Sequence, residues 1–202
     1  MRPMDSWEKF LDPEKLRGSL LAASLYIAAY ETCRESILDK LKSFYFDYID
    51  ENGPHPGPAY QSEVLSKAKS PVEATLKWFL EMKAIEEPDI AAFSKARKLR
   101  NQIAHDMPKY ITEPDHQIDQ AVFEGLLEVT RKIGVWWVVN VEIATDPDYD
   151  ETEVDEEEIQ IGTIIMIQLM MDIAYGNEPE EGFYYREFVK ARAHKKPEFG
   201  VR

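Results

Sequence analysis

The sequence predicts an all-α fold, an antiparallel bundle of about five to six helices, from three observations. Apolar residues recur at three- and four-residue steps over long stretches, as on the buried face of amphipathic helices. Asp12-Pro13-Glu14 and Ser70-Pro71-Val72-Glu73 are typical helix starts, with Pro at the first helical position. Segments rich in Gly and Pro separate the helical stretches, and nothing in the pattern demands a sheet.

The first two helices follow from these start signals. The apolar stripe that begins after Pro13 continues to about residue 49, which predicts one long helix. Residues 53–58, Gly-Pro-His-Pro-Gly-Pro, exclude a helix and predict a loop. A second helix is expected to begin with Ser70 as its N-cap and with Glu73 completing a capping box.

A third helix is expected from about Asp89. It should end near His105 or Asp106, because Pro108 disfavours helical geometry at the residue that precedes it. A fourth helix is expected to follow from near Pro114 through Trp136. The β-branched residues after it, at 137–145, permit either fraying or a strand.

The C-terminal part has a different character. Residues 146–158 are strongly acidic and predict a loop, whereas residues 159–173 are apolar nearly all round. A helix of that kind should be buried on several sides, either in the bundle or against a second subunit. A last helix is expected at about residues 183–189. The chain therefore divides into a helical bundle at 1–145, with its active-site segment at 95–110, and a part at 146–202 that packs on the bundle or at a dimer interface.

The composition favours a protein that folds in a reducing cytoplasm without metal or disulfide. Cys33 is the single cysteine, which excludes an intrachain disulfide and a thiolate zinc site, and we expect it to be buried and inert. The N-terminus has no apolar run of signal-peptide length, and the apolar stretch at 161–175 is shorter than the roughly 20 residues that span a bilayer. The histidines show no metal-ligand spacing, and no phosphate-loop, hydrolase or zinc-protease motif occurs, so no metal or cofactor is expected.

One basic island interrupts an acidic chain. The formal net charge of −14 argues against non-specific nucleic-acid binding, which depends on neutralising phosphates. Residues 91–110 nevertheless carry five Lys and Arg residues against one acidic residue, Asp106. The candidates for contact with RNA are Lys95, Arg97, Lys98 and Lys109. The alternative is that these lysines simply form the solvated face of a helix.

Within the island, Arg100-Asn101-Gln102-Ile103-Ala104-His105 closely resembles the R-N-x-x-x-H signature of the HEPN superfamily (higher eukaryotes and prokaryotes nucleotide-binding). In that family an Arg, a polar residue and a His close the third helix of a bundle. Arg100, Asn101 and His105 occupy these three positions, and apolar residues precede the His as is usual. The resemblance is specific over about ten residues, and the bundle pattern of residues 13–145 is compatible with it.

The resemblance implies a metal-independent endoribonuclease that acts as a toxin or phage-defence effector and uses Arg100, Asn101 and His105. Histidine transfers protons near neutral pH, and a guanidinium suits the charge that develops on phosphate. On a continuous helix Asn101 and His105 are about 40° apart and share a face, whereas Arg100 and His105 are about 140° apart. In the family a dimer resolves this geometry, with two such segments across one cleft. RNA, a second copy of the chain and a cognate antitoxin or regulatory protein are therefore the expected partners, and no membrane is.

A non-catalytic role is the alternative. Some members of the superfamily keep the fold and only bind, so a helical module for RNA, a nucleotide or a protein partner also fits the acidic composition. Members paired with a nucleotidyltransferase antitoxin often carry a Tyr two residues after the His. Met107 stands at that position and the nearest tyrosine is Tyr110, which argues against that pairing.

Overall fold

The computed structural model describes residues 3–51, 53–145 and 155–194 of the chain. Over these residues the fold is all-α with one small two-stranded sheet, which confirms the predicted class. The α-helices are α1 (Pro3–Leu11), α2 (Pro13–Phe44), α3 (Pro71–Glu81), α4 (Glu87–His105), α5 (Met107–Thr112), α6 (Gln120–Trp137), α7 (Gly162–Tyr175) and α8 (Phe183–His194). The strands are β1 (Phe46–Asp50) and β2 (Gly53–Pro56), and π-helical turns occur at Tyr60–Val64 and Val138–Ile143. The predicted acidic loop lies mostly outside the described residues.

The central element is α2, which contacts every helix from α1 to α7. Its start is the predicted one, because the Asp12 carboxylate accepts hydrogen bonds from the backbone N–H groups of Lys15 and Glu14 at 3.2 and 3.0 Å. These bonds hold the pKa of Asp12 below its ordinary value. The main core forms where α2 meets α3, α4 and α6, and its largest fully buried side chains include Ile37, Leu41, Leu76, Phe79, Phe93, Leu126 and Ile133.

The first long helix ends at Phe44, so its predicted end at about residue 49 is wrong. The chain enters an antiparallel hairpin in which Asp50 lies opposite Gly53, whose φ of +110° is favourable only for glycine. The Gly57 N–H donates to the Tyr45 carbonyl at 2.7 Å and fastens the hairpin to the end of α2. Every residue of β1 is exposed, so the apolar stripe that predicted more helix is not a buried face here.

The predicted start of α3 is correct, but its capping box does not form. The helix begins at Pro71, and the Ser70 side chain makes no capping hydrogen bond. Glu73 does not reach back to its own helix start; it forms an ion pair of 2.8 Å with Arg97 on α4. A charge on the neighbouring helix therefore outcompetes the local cap.

A buried carboxylate holds the start of α4 against α6. Asp89 is 7% exposed; it accepts the Glu86 backbone N–H at 2.9 Å and the Lys132 ammonium at 2.8 Å. The bond to Asp89 raises the pKa of Lys132. Pairing satisfies a charge that would otherwise be costly to bury, and it fixes the register between the two helices.

The chain between α4 and the end of α6 differs from expectation in two places. The predicted stop at His105 is confirmed, but a short helix, α5, follows after a single intervening residue. The next long helix, α6, begins at Gln120 and not near Pro114. Its cap is Asp119, whose carboxylate accepts hydrogen bonds from the backbone N–H groups of Ala121 and Val122 at 3.0 and 3.3 Å. Residues 138–143 form a π-helical turn and not a strand.

Within one chain, the bundle covers little of the apolar helix α7, and its cover by a second subunit stays a prediction. Within it only Ile167 is buried, and it packs into the main core. Exposed apolar side chains of α7 are Ile165, Met166, Ile173 and Tyr175. In the part of the chain that the structure describes, no helix combines the length and the apolar character needed to cross a membrane.

Candidate functional site

A second, smaller apolar cluster fixes the C-terminal end of α4 against α2. Its buried members are Ala23, Tyr26, Leu99, Ile103 and Tyr110. The Tyr26 hydroxyl donates to the Ala96 carbonyl at 3.0 Å, which ties α2 to the middle of α4. Burial raises the pKa of Tyr26, so this hydroxyl stays a donor throughout the neutral range. The polar residues on the outer side of α4 are thus carried by a helix that is anchored along its inner side.

On that outer side lies an open depression of about 380 Å³, which we call the α4 depression. Its lining residues are Ser94, Arg97, Lys98, Asn101, Gln102, His105 and Asp106. They recur at three- and four-residue steps and so form one face of the helix. Asn101 and His105 are both exposed in it, as their predicted angular separation requires.

Arg100 lies on a different face. One Nη atom is 2.5 Å from the Glu31 carboxylate on α2, and the other donates to the Asn101 side-chain oxygen at 3.2 Å. Its Nε is buried without a hydrogen-bond partner among the described residues. Within one chain the arginine and the histidine of the motif are therefore not directed at one point, which the predicted angle of about 140° anticipates.

The four predicted RNA-contacting cations differ in position and in pairing. Arg97 and Lys98 line the α4 depression, whereas Lys95 and Lys109 do not. Arg97 is paired with Glu73, and Lys109 donates to Asp106 at 2.8 Å, which raises the pKa of Lys109 and lowers that of Asp106. No described acidic side chain pairs with Lys98, which is exposed. Lys98 therefore gives up no such ion pair when it binds a phosphate, whereas Arg97 would have to leave Glu73.

His105 is the last residue of α4, and its ring is exposed. Across residues 3–51, 53–145 and 155–194, no side chain forms a hydrogen bond with that ring. The ring is therefore exposed in the depression and is not engaged by another described side chain, which suits a proton-transfer group. An exposed ring also means that removing it costs little packing energy.

Sequence reasoning missed Glu31, Ser94 and Gln102. The last two have a detectable signal, because they lie three or four residues from predicted site residues on the same helix. No sequence signal points to Glu31, because its contact with Arg100 joins α2 to α4 and depends on how the two helices pack. Cys33, two residues further along α2, is fully buried as predicted, and its burial raises the pKa of the thiol to about 11.

Among the described residues there is no group of three or more His, Cys, Asp or Glu side chains that could hold a metal ion. No family model, no curated protein and no solved structure matches the chain. The function of the chain is therefore inferred from its own residues.

Proposed function

We propose that the protein is a metal-independent endoribonuclease of HEPN type, a toxin or phage-defence effector of the bacterial cytoplasm. Its site would be composed of Arg100, Asn101 and His105 from two protomers. The observation that carries the proposal is the α4 depression, in which Asn101 and His105 share one exposed face with two cationic side chains.

The chemistry follows from these residue types. The ribose 2′-hydroxyl attacks the adjacent phosphorus while one His105 imidazole accepts its proton. The bond from phosphorus to the 5′-oxygen breaks, and that oxygen takes a proton from the imidazolium of the partner's His105. The products are a 2′,3′-cyclic phosphate and a 5′-hydroxyl, so no metal or external nucleophile is consumed. Arg100 would stabilise the charge that develops on the non-bridging oxygens.

Two features of the geometry support a site shared by two chains. The guanidinium of Arg100 and the ring of His105 project from different faces of α4, so one helix does not supply both to one phosphate. The depression is open, which leaves room for a second chain and for RNA. In the proposed dimer, Arg100 of one copy would lie near His105 of the other, since one chain does not direct both side chains at one point.

A non-catalytic module that binds RNA, a nucleotide or a protein partner is the second candidate, and one observation favours it. Arg100 and Arg97 are both already neutralised by carboxylates, Glu31 and Glu73. Together with the net charge of −14, this pairing weakens the attraction for a polyanion. A module that recognises a partner by shape would not need either arginine to be free.

Expression in bacterial cells separates the two candidates. Wild type and His105→Ala are expressed from the same inducible promoter, and growth and total RNA integrity are followed after induction. We expect the wild type to arrest growth with fragmented RNA, and His105→Ala to do neither. Equal growth and intact RNA with both proteins, at equal protein levels, would contradict the nuclease and favour the binding module.

A further inference from the structure

The hairpin formed by β1 and β2 has one closed edge and one open edge. In the described part of the chain the two strands pair only with each other, so each has an outer edge. The sequence of β2 is Gly-Pro-His-Pro, and neither Pro54 nor Pro56 has a backbone N–H to offer a further strand. β1 contains no proline, and its Ile49 side chain is 70% exposed. β1 is therefore the strand of the hairpin at whose edge another strand can pair.

The register of the hairpin shows which backbone groups of β1 face the open edge. Ile49 lies opposite Pro54 in the antiparallel ladder. Opposing residues of such a ladder alternate between pairs that exchange both N–H···O bonds and pairs that exchange none. Because proline has no N–H, Ile49 and Pro54 form a pair that exchanges none. The N–H and C=O of Ile49 therefore point away from β2, towards the open edge of β1.

The hairpin is held in shape by contacts of its own. The rings of Tyr48 and His55 are stacked across the two strands, with their centroids 4.8 Å apart and their planes 11° from parallel. The Nε2 atom of His55 is 2.9 Å from the Asp50 carboxylate. At the base, the Gly57 N–H donates to the Tyr45 carbonyl at 2.7 Å. Since a two-stranded hairpin alone is marginally stable, these contacts keep β1 extended, and the ordering cost of binding falls mainly on the incoming segment.

The segment that carries the hairpin is acidic. Residues 43–66 contain no Lys or Arg and four carboxylates, those of Asp47, Asp50, Glu51 and Glu63. The lysines that flank this segment have carboxylate partners of their own, since Lys42 pairs with Asp39 and Lys67 with Glu81. Lys40, which lies over the Trp137 ring beside the end of α2, interacts with Glu142. The open edge of β1 therefore lies in a negatively charged part of the surface after the neighbouring cations are counted.

Charge and exposed apolar surface together indicate which partner fits. RNA is a polyanion and is repelled, and a second copy of β1 would bring like charges opposite one another. A basic strand meets opposite charge, and its apolar side chains can cover Phe46, Tyr48 and Ile49, which are half or more exposed. We propose that β1 binds an extended segment of a partner protein, in which Lys or Arg alternates with apolar residues, as a third strand. The hairpin begins about 20 Å further along α2 than Glu31, so this surface is independent of the proposed ribonuclease site.

The probe is a seven-residue peptide in which Lys alternates with Val, and its binding to the full chain is measured by calorimetry. Two control peptides separate backbone pairing from charge: one carries N-methyl groups on its three central backbone nitrogens, and the other has Glu in place of Lys. We expect saturable one-to-one binding of the probe and no binding of the Glu peptide. The N-methylated peptide keeps the charge but loses backbone hydrogen bonds, so it should bind at least about tenfold more weakly. The proposal is overturned if the probe does not bind, or if the N-methylated peptide binds as well.

Two variants at one position place the binding at the edge of β1. Ile49→Pro removes the outward N–H without removing a bond to β2, whereas Ile49→Ala shortens the side chain and keeps the N–H. Ile49→Pro should weaken binding of the probe about tenfold, and clearly more than Ile49→Ala does. The NMR signals of the His55 ring, which the stacked Tyr48 ring shifts, report that the hairpin persists in both variants. Equal affinities of the two variants with the hairpin intact would overturn the proposal, and if Ile49→Pro loses the hairpin, the N-methylated peptide on the wild type decides.

The charge complementarity is tested at two exposed carboxylates of the hairpin segment. Asp47→Asn and Glu51→Gln should each weaken binding of the probe about threefold and flatten its salt dependence. Asp115→Asn removes an exposed carboxylate from the linker between α5 and α6 and is the control for the change in net charge. If Asp115→Asn weakens binding as much as Asp47→Asn and Glu51→Gln do, the peptide responds to the net charge of the chain and the proposal is wrong.

Discussion

The guanidinium of Arg100 lies 2.5 Å from the Glu31 carboxylate, and each side chain is about one-third exposed, at 33% and 36%. The arginine of the motif is therefore held by α2 in the absence of RNA, and a phosphate that binds it has to compete with Glu31. Because the pair is partly solvated, its free energy is small, about 0.2–1 kcal/mol. An RNA backbone with several phosphates can displace such a contact.

Glu31→Gln should raise the affinity for RNA about two- to fivefold, since the pair that competes with phosphate is weakened by that free energy. The measurement is a binding titration with a short labelled single-stranded RNA. Glu35→Gln removes a carboxylate from the same helix, where it pairs with Arg34, and serves as the control for the change in net charge. Weaker binding by Glu31→Gln than by Glu35→Gln would mean that Glu31 positions Arg100 for RNA and does not compete with it.

Lys98→Ala should weaken RNA binding and flatten its salt dependence, because Lys98 lines the α4 depression and has no described acidic partner. One lost phosphate contact reduces the slope of log K against log salt by about 0.7 for a single strand. Lys95→Ala removes an exposed lysine of the same helix that lies outside the depression. The salt slope for RNA binding should therefore change less in this variant than in Lys98→Ala. Equal slopes for the two variants would indicate that RNA does not occupy this face of α4.

The elements that the sequence predicts well are those with local causes. The Asp12 cap and the stop at His105 depend on neighbours in the chain, and both are in the structure. The end of α2 was missed because Tyr45 and Tyr48 continue its apolar pattern although β1 is exposed. The missed contact of Glu31 with Arg100 has a similar origin, since it arises only when α2 and α4 pack.

Cys33 should behave as a buried, inert thiol. Burial raises its pKa to about 11, whereas the pKa of the thiol in the unfolded chain is about 8.5. Below that lower value the folded state has its full stability, and between the two values the free energy of unfolding falls as pH rises, because only the unfolded thiol loses its proton. Chemical denaturation should therefore show that the free energy of unfolding falls more steeply from pH 8 to 10 for wild type than for Cys33→Ala. Parallel curves, or rapid alkylation of the native protein at pH 8, would contradict the burial.

The protein should sediment as a homodimer at micromolar concentrations, because the proposed site needs two copies and α7 leaves apolar side chains uncovered. Met166→Glu places a charge among them and should shift the protein towards the monomer with loss of RNA cleavage. Gln160→Glu changes an exposed polar residue just before the same helix and should leave the dimer intact. A wild-type monomer at tens of micromolar would argue strongly against a composite site.

Cleavage of a labelled RNA by purified protein in EDTA tests the central claim most directly. Wild type should cut and leave 2′,3′-cyclic phosphate ends, and His55→Ala, which alters a histidine on the hairpin, should cut equally well. His105→Ala should bind RNA with similar affinity but cleave about 10²–10⁴ times more slowly, and Arg100→Ala about 10²–10³ times more slowly. If the wild type binds RNA and never cuts it, while His105→Ala binds equally well, the ribonuclease assignment is wrong.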